Sequence, residues 1–145
     1  MSKSKRTAKS NRKRPPPLSV GLDFAHADLS NSNWSNYDFR FVWLFCADLS
    51  TCSLRRAQLG YIREASLRGS DLRGARFHLA GLTGTDFSGA RLAGASFREC
   101  TYVRNQPPIG LTTDILSRCI AVTDAEAATA APGFNLIMTG HLTMV

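Results

Sequence analysis

The chain has 145 residues, 43% apolar and 9% aromatic, which suits one domain with a real core and leaves no apolar run long enough to cross a membrane. Its four cysteines, Cys46, Cys52, Cys100 and Cys119, form no C-x-x-C pair and no zinc spacing, and no apolar segment follows the basic start. This speaks against a zinc module and a secretory signal, and for a reduced, cytoplasmic protein of bacterial type. The net charge of +7 does not mark a basic domain, because residues 15–145 hold 11 Arg against 11 Asp or Glu.

The charge lies at the N-terminus. Lys3, Lys5, Arg6, Lys9, Arg12, Lys13 and Arg14 stand there with no acid among them, followed by Pro15, Pro16 and Pro17. Such a composition buries too little surface to fold, so residues 1–17 are expected to be a disordered basic tail. Its seven cations could neutralise phosphates without reading bases, and they are candidate contacts for DNA or another polyanion. A solubilising or targeting segment is the competing reading.

Residues 18–104 are governed by a period of five. Large apolar residues stand at Phe24, Leu29, Trp34, Phe39, Leu44, Leu49, Leu54 and Leu59, and again at Leu67, Leu72, Phe77, Leu82, Phe87, Leu92, Phe97 and Tyr102. Two residues before most of them is a small residue, as at Ala27, Ala47, Cys52, Ala57, Ala65, Ser70, Ala75, Ala80, Thr85 and Cys100. Five fits neither the helical period of 3.6 nor the strand period of 2. It fits a chain that turns one corner per repeat, with one large and one small residue inward. Ala27-Asp28-Leu29-Ser30-Asn31 and Ala47-Asp48-Leu49-Ser50-Thr51 match the motif A-[D/N]-L-x-x in full, and Ser70-Asp71-Leu72-Arg73-Gly74 is a close variant. On these residues the chain resembles the pentapeptide-repeat family over about residues 22–104.

The resemblance implies an all-β fold: a right-handed quadrilateral β-helix with 20 residues per coil and about four coils. Four inward columns then follow, Phe24/Leu44/Leu67/Phe87, Leu29/Leu49/Leu72/Leu92, Trp34/Leu54/Phe77/Phe97 and Phe39/Leu59/Leu82/Tyr102. Between Leu59 and Leu67 the spacing is eight, which reads as three extra residues within 60–64. They form either a tolerated bulge or a protruding contact loop carrying Tyr61 and Arg63.

Residues 105–145 lack the repeat, which Pro107-Pro108 ends, and read as a small, partly helical cap over the last coil or as a dimerisation segment. Thr113 to Ile120 suggests a short helix with Ile115, Leu116, Cys119 and Ile120 on one face. Thr123 and Glu126 have capping-box spacing before an alanine-rich turn that Pro132-Gly133 stops. Phe134 to Met138 could be a strand.

No phosphate loop, nucleophile elbow or zincin motif is present, so neither an enzyme nor a cofactor is expected. His26 and His78 fall on outward positions, and Cys52 and Cys100 read as core fillers. Function must then reside in surfaces. Phe41, Trp43 and Phe45 surround Leu44 where most repeats are polar, and suggest a partner site unless the chain's own ends cover them. Arg55, Arg76, His78 and Arg98, with Arg56 nearby, suggest a basic stripe, either an anion contact or a solvated face. Asp28, Asp48 and Asp71 suggest a short acidic column. The leading expectation is a non-catalytic scaffold for an unidentified protein partner, with a homodimer possible. Polyanion binding through the tail is the first alternative. The second comes from the resemblance: family members that bind DNA gyrase imitate B-form DNA with a strongly negative rod, which this neutral body lacks.

Overall fold

The computed structural model describes residues 22–129. Every repeat is one side of a coil followed by a tight corner. At the corner the N–H of the small residue donates to the carbonyl of the large residue three before it, as in Ala47 to Leu44 (3.1 Å) and Ala75 to Leu72 (3.0 Å). The residue just before that N–H has positive φ: His26, Asn31, Asn36, Cys46, Thr51, Arg56, Glu64, Leu79 and Glu99, alternating later with Gly69, Gly74, Gly84, Gly89 and Gly94. Left-handed backbone costs an L-residue about 1–2 kcal/mol, which glycine avoids. The Asp or Asn preceding the large residue pre-forms the corner. Its Oδ1 accepts from the N–H two residues on, at 3.0 Å for Asp28–Ser30, 2.9 Å for Asp48–Ser50 and 2.9 Å for Asp86–Ser88.

Corners stack into four parallel ladders. They run through Asp23/Trp43/Tyr61/Gly81/Thr101, Asp28/Asp48/Ser66/Asp86/Ile109, Asn33/Ser53/Asp71/Arg91 and Asp38/Gln58/Arg76/Ser96. Two rungs lengthen into strands, β1 (Asp38–Trp43) paired with β2 (Gln58–Tyr61), and β3 (Thr101–Val103) paired with β4 (Ile120–Val122). The architecture is an all-β solenoid.

The spacing along the ladders corrects the sequence register. Asp28 to Asp48 is 20 residues, but Asp48 to Ser66 is 18. The slip at 60–64 is therefore a deletion of two residues, not an insertion of three. Ile62 is itself an inward centre, with no exposure, three residues after Leu59. An apolar residue that can be buried at a shortened corner outweighs strict five-residue spacing. The inward columns become Phe24/Leu44/Ile62/Leu82, Leu29/Leu49/Leu67/Phe87, Trp34/Leu54/Leu72/Leu92 and Phe39/Leu59/Phe77/Phe97. The 20-residue stacking expected within each half stands, but the two halves join one corner earlier.

The centres from Phe39 to Leu82 are completely buried, and Leu22, Phe24, Leu29, Trp34, Leu92 and Tyr102 at the two ends are partly buried. Phe77 stacks on Phe97 with ring centroids 4.6 Å apart. Small polar fillers satisfy themselves locally: Ser70 Oγ donates to Leu67 O (2.6 Å), Thr85 Oγ1 to Ile62 O (2.8 Å) and Cys52 Sγ to Leu29 O (3.0 Å). Cys52 and Cys100 are buried, as core fillers should be.

Beyond the repeats, α1 (Thr113–Ser117), β4 and α2 (Asp124–Thr129) follow. The helix expected to reach Ile120 stops at Ser117, because Ile120 N donates to Cys100 O (2.7 Å) and joins β4 instead. Ile120 is exposed, whereas Leu111, Ile115 and Cys119 pack against the core. Ile109 pairs with Asp86, so ladder pairing outlasts Pro107-Pro108. The capping box forms: Thr123 N donates to Glu126 Oε2 (2.6 Å) and Glu126 N to Thr123 Oγ1 (3.2 Å). Pro132-Gly133, the expected strand at 134–138 and the tail lie outside the described residues.

Candidate functional site

The deletion creates the most distinctive surface. β1 carries Arg40, Phe41 and Val42 between Phe39 and Trp43, where β2 has only Gly60 between Leu59 and Tyr61. β1 must bulge. Val42 turns inward and is buried, and Phe41 is pushed out to 52% exposure, with the Arg40 guanidinium 5.6 Å from its ring centre. Leu79, two residues after Phe77 as Phe41 is after Phe39, is 49% exposed on the same edge. The shortened corner lies between them. Other corners carry His26, Asn31, Asn36, Thr51, Arg56, Glu64 or glycine.

Trp43, Phe45 and Tyr61 lie around the next face. Trp43 stacks on Phe45 at 6.4 Å between centroids, and Phe45 meets Tyr61 edge-on at 6.2 Å. Phe45, read as an outward residue that is either a partner site or covered by the chain's ends, is buried beside these two rings, and Trp43 and Tyr61 are half-buried. Tyr61 is the last residue of β2 and not the tip of a loop. Arg63 has a side chain only 17% exposed, paired with Glu64 at 3.3 Å, and its Nε has no hydrogen-bond partner among the described residues.

The basic residues also regroup. Arg76, His78 and Arg98 share a face, with Arg40 joining them, around a cleft of about 540 Å³ lined also by Gln58 and Ser96. Gly60 stands in register between Arg40 and His78, and Gln58 is the side chain of that coil which reaches the cleft. Arg55 is displaced to the neighbouring ladder beside Arg73, because the 18-residue spacing moves every later residue by one corner relative to the sequence register. Arg56 lines an adjoining depression with Gln58, Gly74 and Arg76. The cations Lys3, Lys5, Arg6, Lys9, Arg12, Lys13 and Arg14 lie outside the described residues.

The acidic column is corrected likewise. Asp28 and Asp48 stack over Ser66 and Asp86, while Asp71 lies on the next ladder. Arg73 grips Asp71 through Nε (2.8 Å) and Nη2 (2.6 Å) and holds its carboxyl down to about 2. His26 and His78 are exposed. Cys100 and Cys119 sit side by side where β3 meets β4. The neighbouring Cys119 sulfur and burial push the Cys100 thiol far up, which keeps it protonated and unreactive.

Sequence reasoning missed Arg40, Leu79 and Ile62. All three depend on the register across residues 59–62, and testing a deletion there as well as an insertion would have exposed them. Among the described residues, no group of His, Cys, Asp and Glu could hold a metal ion, and no helix is long and apolar enough to cross a membrane.

Residues 61–99 match the family model of pentapeptide repeats in eight copies, beginning where the structure places Ile62 as a centre. No curated protein sequence matches significantly. Among solved structures, a pentapeptide repeat protein of Nostoc PCC 7120 is 24% identical with a TM-score of 0.44, covering 81% of this chain and 91% of its own. A pentapeptide repeat protein of the cyanobacterium Cyanothece 51142 is 19% identical with a TM-score of 0.48, covering 69% of this chain and 60% of its own. One from the thylakoid lumen of Arabidopsis thaliana is 24% identical with a TM-score of 0.39, covering 67% and 73%.

Proposed function

The chain belongs to the pentapeptide-repeat proteins, and from that premise we propose that it is a non-catalytic scaffold that binds a protein partner along the edge carrying Phe41 and Leu79. We take the rod to be right-handed and quadrilateral with about four coils, and residues 105–122 to close its C-terminal end. The observation that carries the reading is the pair of half-exposed apolar side chains, at 52% and 49%, flanking the shortened corner. Large apolar groups standing out on one edge of a largely polar surface mark a contact site. Trp43 and Tyr61 extend it around the corner, and aromatic anchors of this kind dominate contact surfaces.

The test places a photo-crosslinker at residue 43 of the full chain and compares capture with Phe41→Ser and Leu79→Ser. The reading expects one dominant partner, or a second copy of this chain, that both substitutions release while the melting temperature stays within a few degrees. Capture unchanged in both variants removes this edge from consideration. Imitation of DNA is disfavoured, because a face where Arg76 and Arg98 lack acidic partners among the described residues presents the wrong sign. The second reading, polyanion capture by residues 1–14, rests on seven cations without an acid. Deleting them should flatten the salt dependence of DNA binding.

A further inference from the structure

The cleft on the Asp38/Gln58/Arg76/Ser96 face has a chemistry that the apolar edge does not explain. Arg40 is already committed: its Nη2 lies 2.8 Å from Asp38 Oδ2 and its Nε bonds the same carboxylate. Arg76, His78 and Arg98 have no ion pair and no side-chain hydrogen bond among the described residues, although Arg63, Arg68, Arg73 and Arg118 all pair with acids. Two uncompensated guanidinium groups, Arg76 and Arg98, thus converge on one cavity of about 540 Å³, with His78, Gln58 and Ser96 adding hydrogen-bonding groups. Like charges held together without counter-charges repel one another, and a bound anion relieves that repulsion.

The shape narrows the anion. The cavity is lined by side chains of three successive coils, Arg40, Gln58, Arg76, His78, Ser96 and Arg98. Its size falls within the range of small-molecule sites and exceeds one phosphate. Guanidinium forks match phosphate oxygens two at a time. The lining has no Phe, Tyr or Trp on which a base could stack, so the cleft favours phosphates over bases. We infer that this cleft is a binding site for an oligophosphate group, held by Arg76, His78 and Arg98.

The experiment titrates the full chain with sodium tripolyphosphate at ~50 mM salt, following the imidazole proton resonances. The cleft predicts a saturable shift of His78 and none of His26, which lies on another corner. Anion held only by the basic N-terminus would leave His78 unmoved, so the two sources separate. Arg76→Gln with Arg98→Gln should weaken the His78-reported affinity about tenfold or more, since each removes a charge-assisted hydrogen bond, with the fold retained because both side chains are exposed. Poly-glutamate and a thymidine oligonucleotide are the competitors. Equal binding of poly-glutamate would show a general acidic-surface site, and tight oligonucleotide binding without tripolyphosphate binding would show a strand-tracking groove. Either result, an unmoved His78, or undiminished affinity in the double variant, overturns the proposal.

Discussion

A Cβ on Gly60 would lie 2.6 Å from the carbonyl oxygen of Arg40. That approach is the physical signature of the shortened corner, where β1 bulges over a single glycine. Gly60→Ala should therefore destabilise the protein by about 1–3 kcal/mol, in the range for overpacking, because the opposing atom is backbone and cannot rotate away. Gly69→Ala is the control, since its nearest neighbour would be a Thr51 methyl at 3.6 Å and the cost there is left-handed strain alone. Urea midpoints decide it: Gly60→Ala should lose clearly more than Gly69→Ala.

Ile62 separates the two registers. If it is an inward centre, fully buried, Ile62→Ala should cost about 2–5 kcal/mol. In a protruding loop the same change would cost under about 0.5 kcal/mol. A melting curve near that of the parent would restore the loop.

The distinction shows what the sequence could carry. Spacing alone located the large residues from Phe24 to Tyr102, the small fillers such as Ala57 and Cys100, and the turn-forming role of Asp28 and Asp48. Each is a local choice repeated at every corner. The join at 59–62 was not legible as spacing, because eight residues divide equally well as five plus three extra or as three plus five. Only the burial of Ile62 and the pairing Trp43↔Tyr61 decide it. Every cross-coil neighbour beyond that point inherits the error, which is why Arg55 and Asp71 were assigned to the wrong columns and Arg40 and Leu79 were overlooked.

The pairing of Asp71 with Arg73 makes an acid-labile contribution. Hydrogen bonds from Arg73 hold the Asp71 carboxyl down to about 2 in the folded protein, below its ordinary value of 3.8. A depressed folded pKa means the ionised form is favoured by folding. The contribution is complete above about pH 4 and is lost as the pH falls toward 2. Both side chains are partly exposed, so its size should stay below about 1 kcal/mol. Asp71→Asn should lower the melting temperature slightly at pH 7 and give a shallower decline between pH 4 and 2.5. An acid branch that superimposes on that of the parent would show the pair contributes nothing.

Leu79 separates stability from binding at a single position. Its φ of 56° is left-handed backbone, which costs an L-residue about 1–2 kcal/mol. Half of the side chain is exposed, so little burial compensates for that strain. Leu79→Gly removes the strain but adds about 0.5–1 kcal/mol of unfolded-state entropy to be lost on folding. The net change should lie near zero, or slightly in favour of glycine. Leu79→Ala keeps the strain, loses the remaining apolar contact, and should be the least stable of the three. Thermal unfolding should therefore rank glycine at or above leucine, and leucine above alanine. Partner capture follows a different order, because both substitutions remove the same projecting apolar group from the edge beside Phe41. If Leu79→Gly keeps its melting temperature and loses the crosslinked partner, then a strained leucine is retained at that corner for contact and not for folding. If it keeps both, Leu79 is no part of the interface and the apolar edge reduces to Phe41.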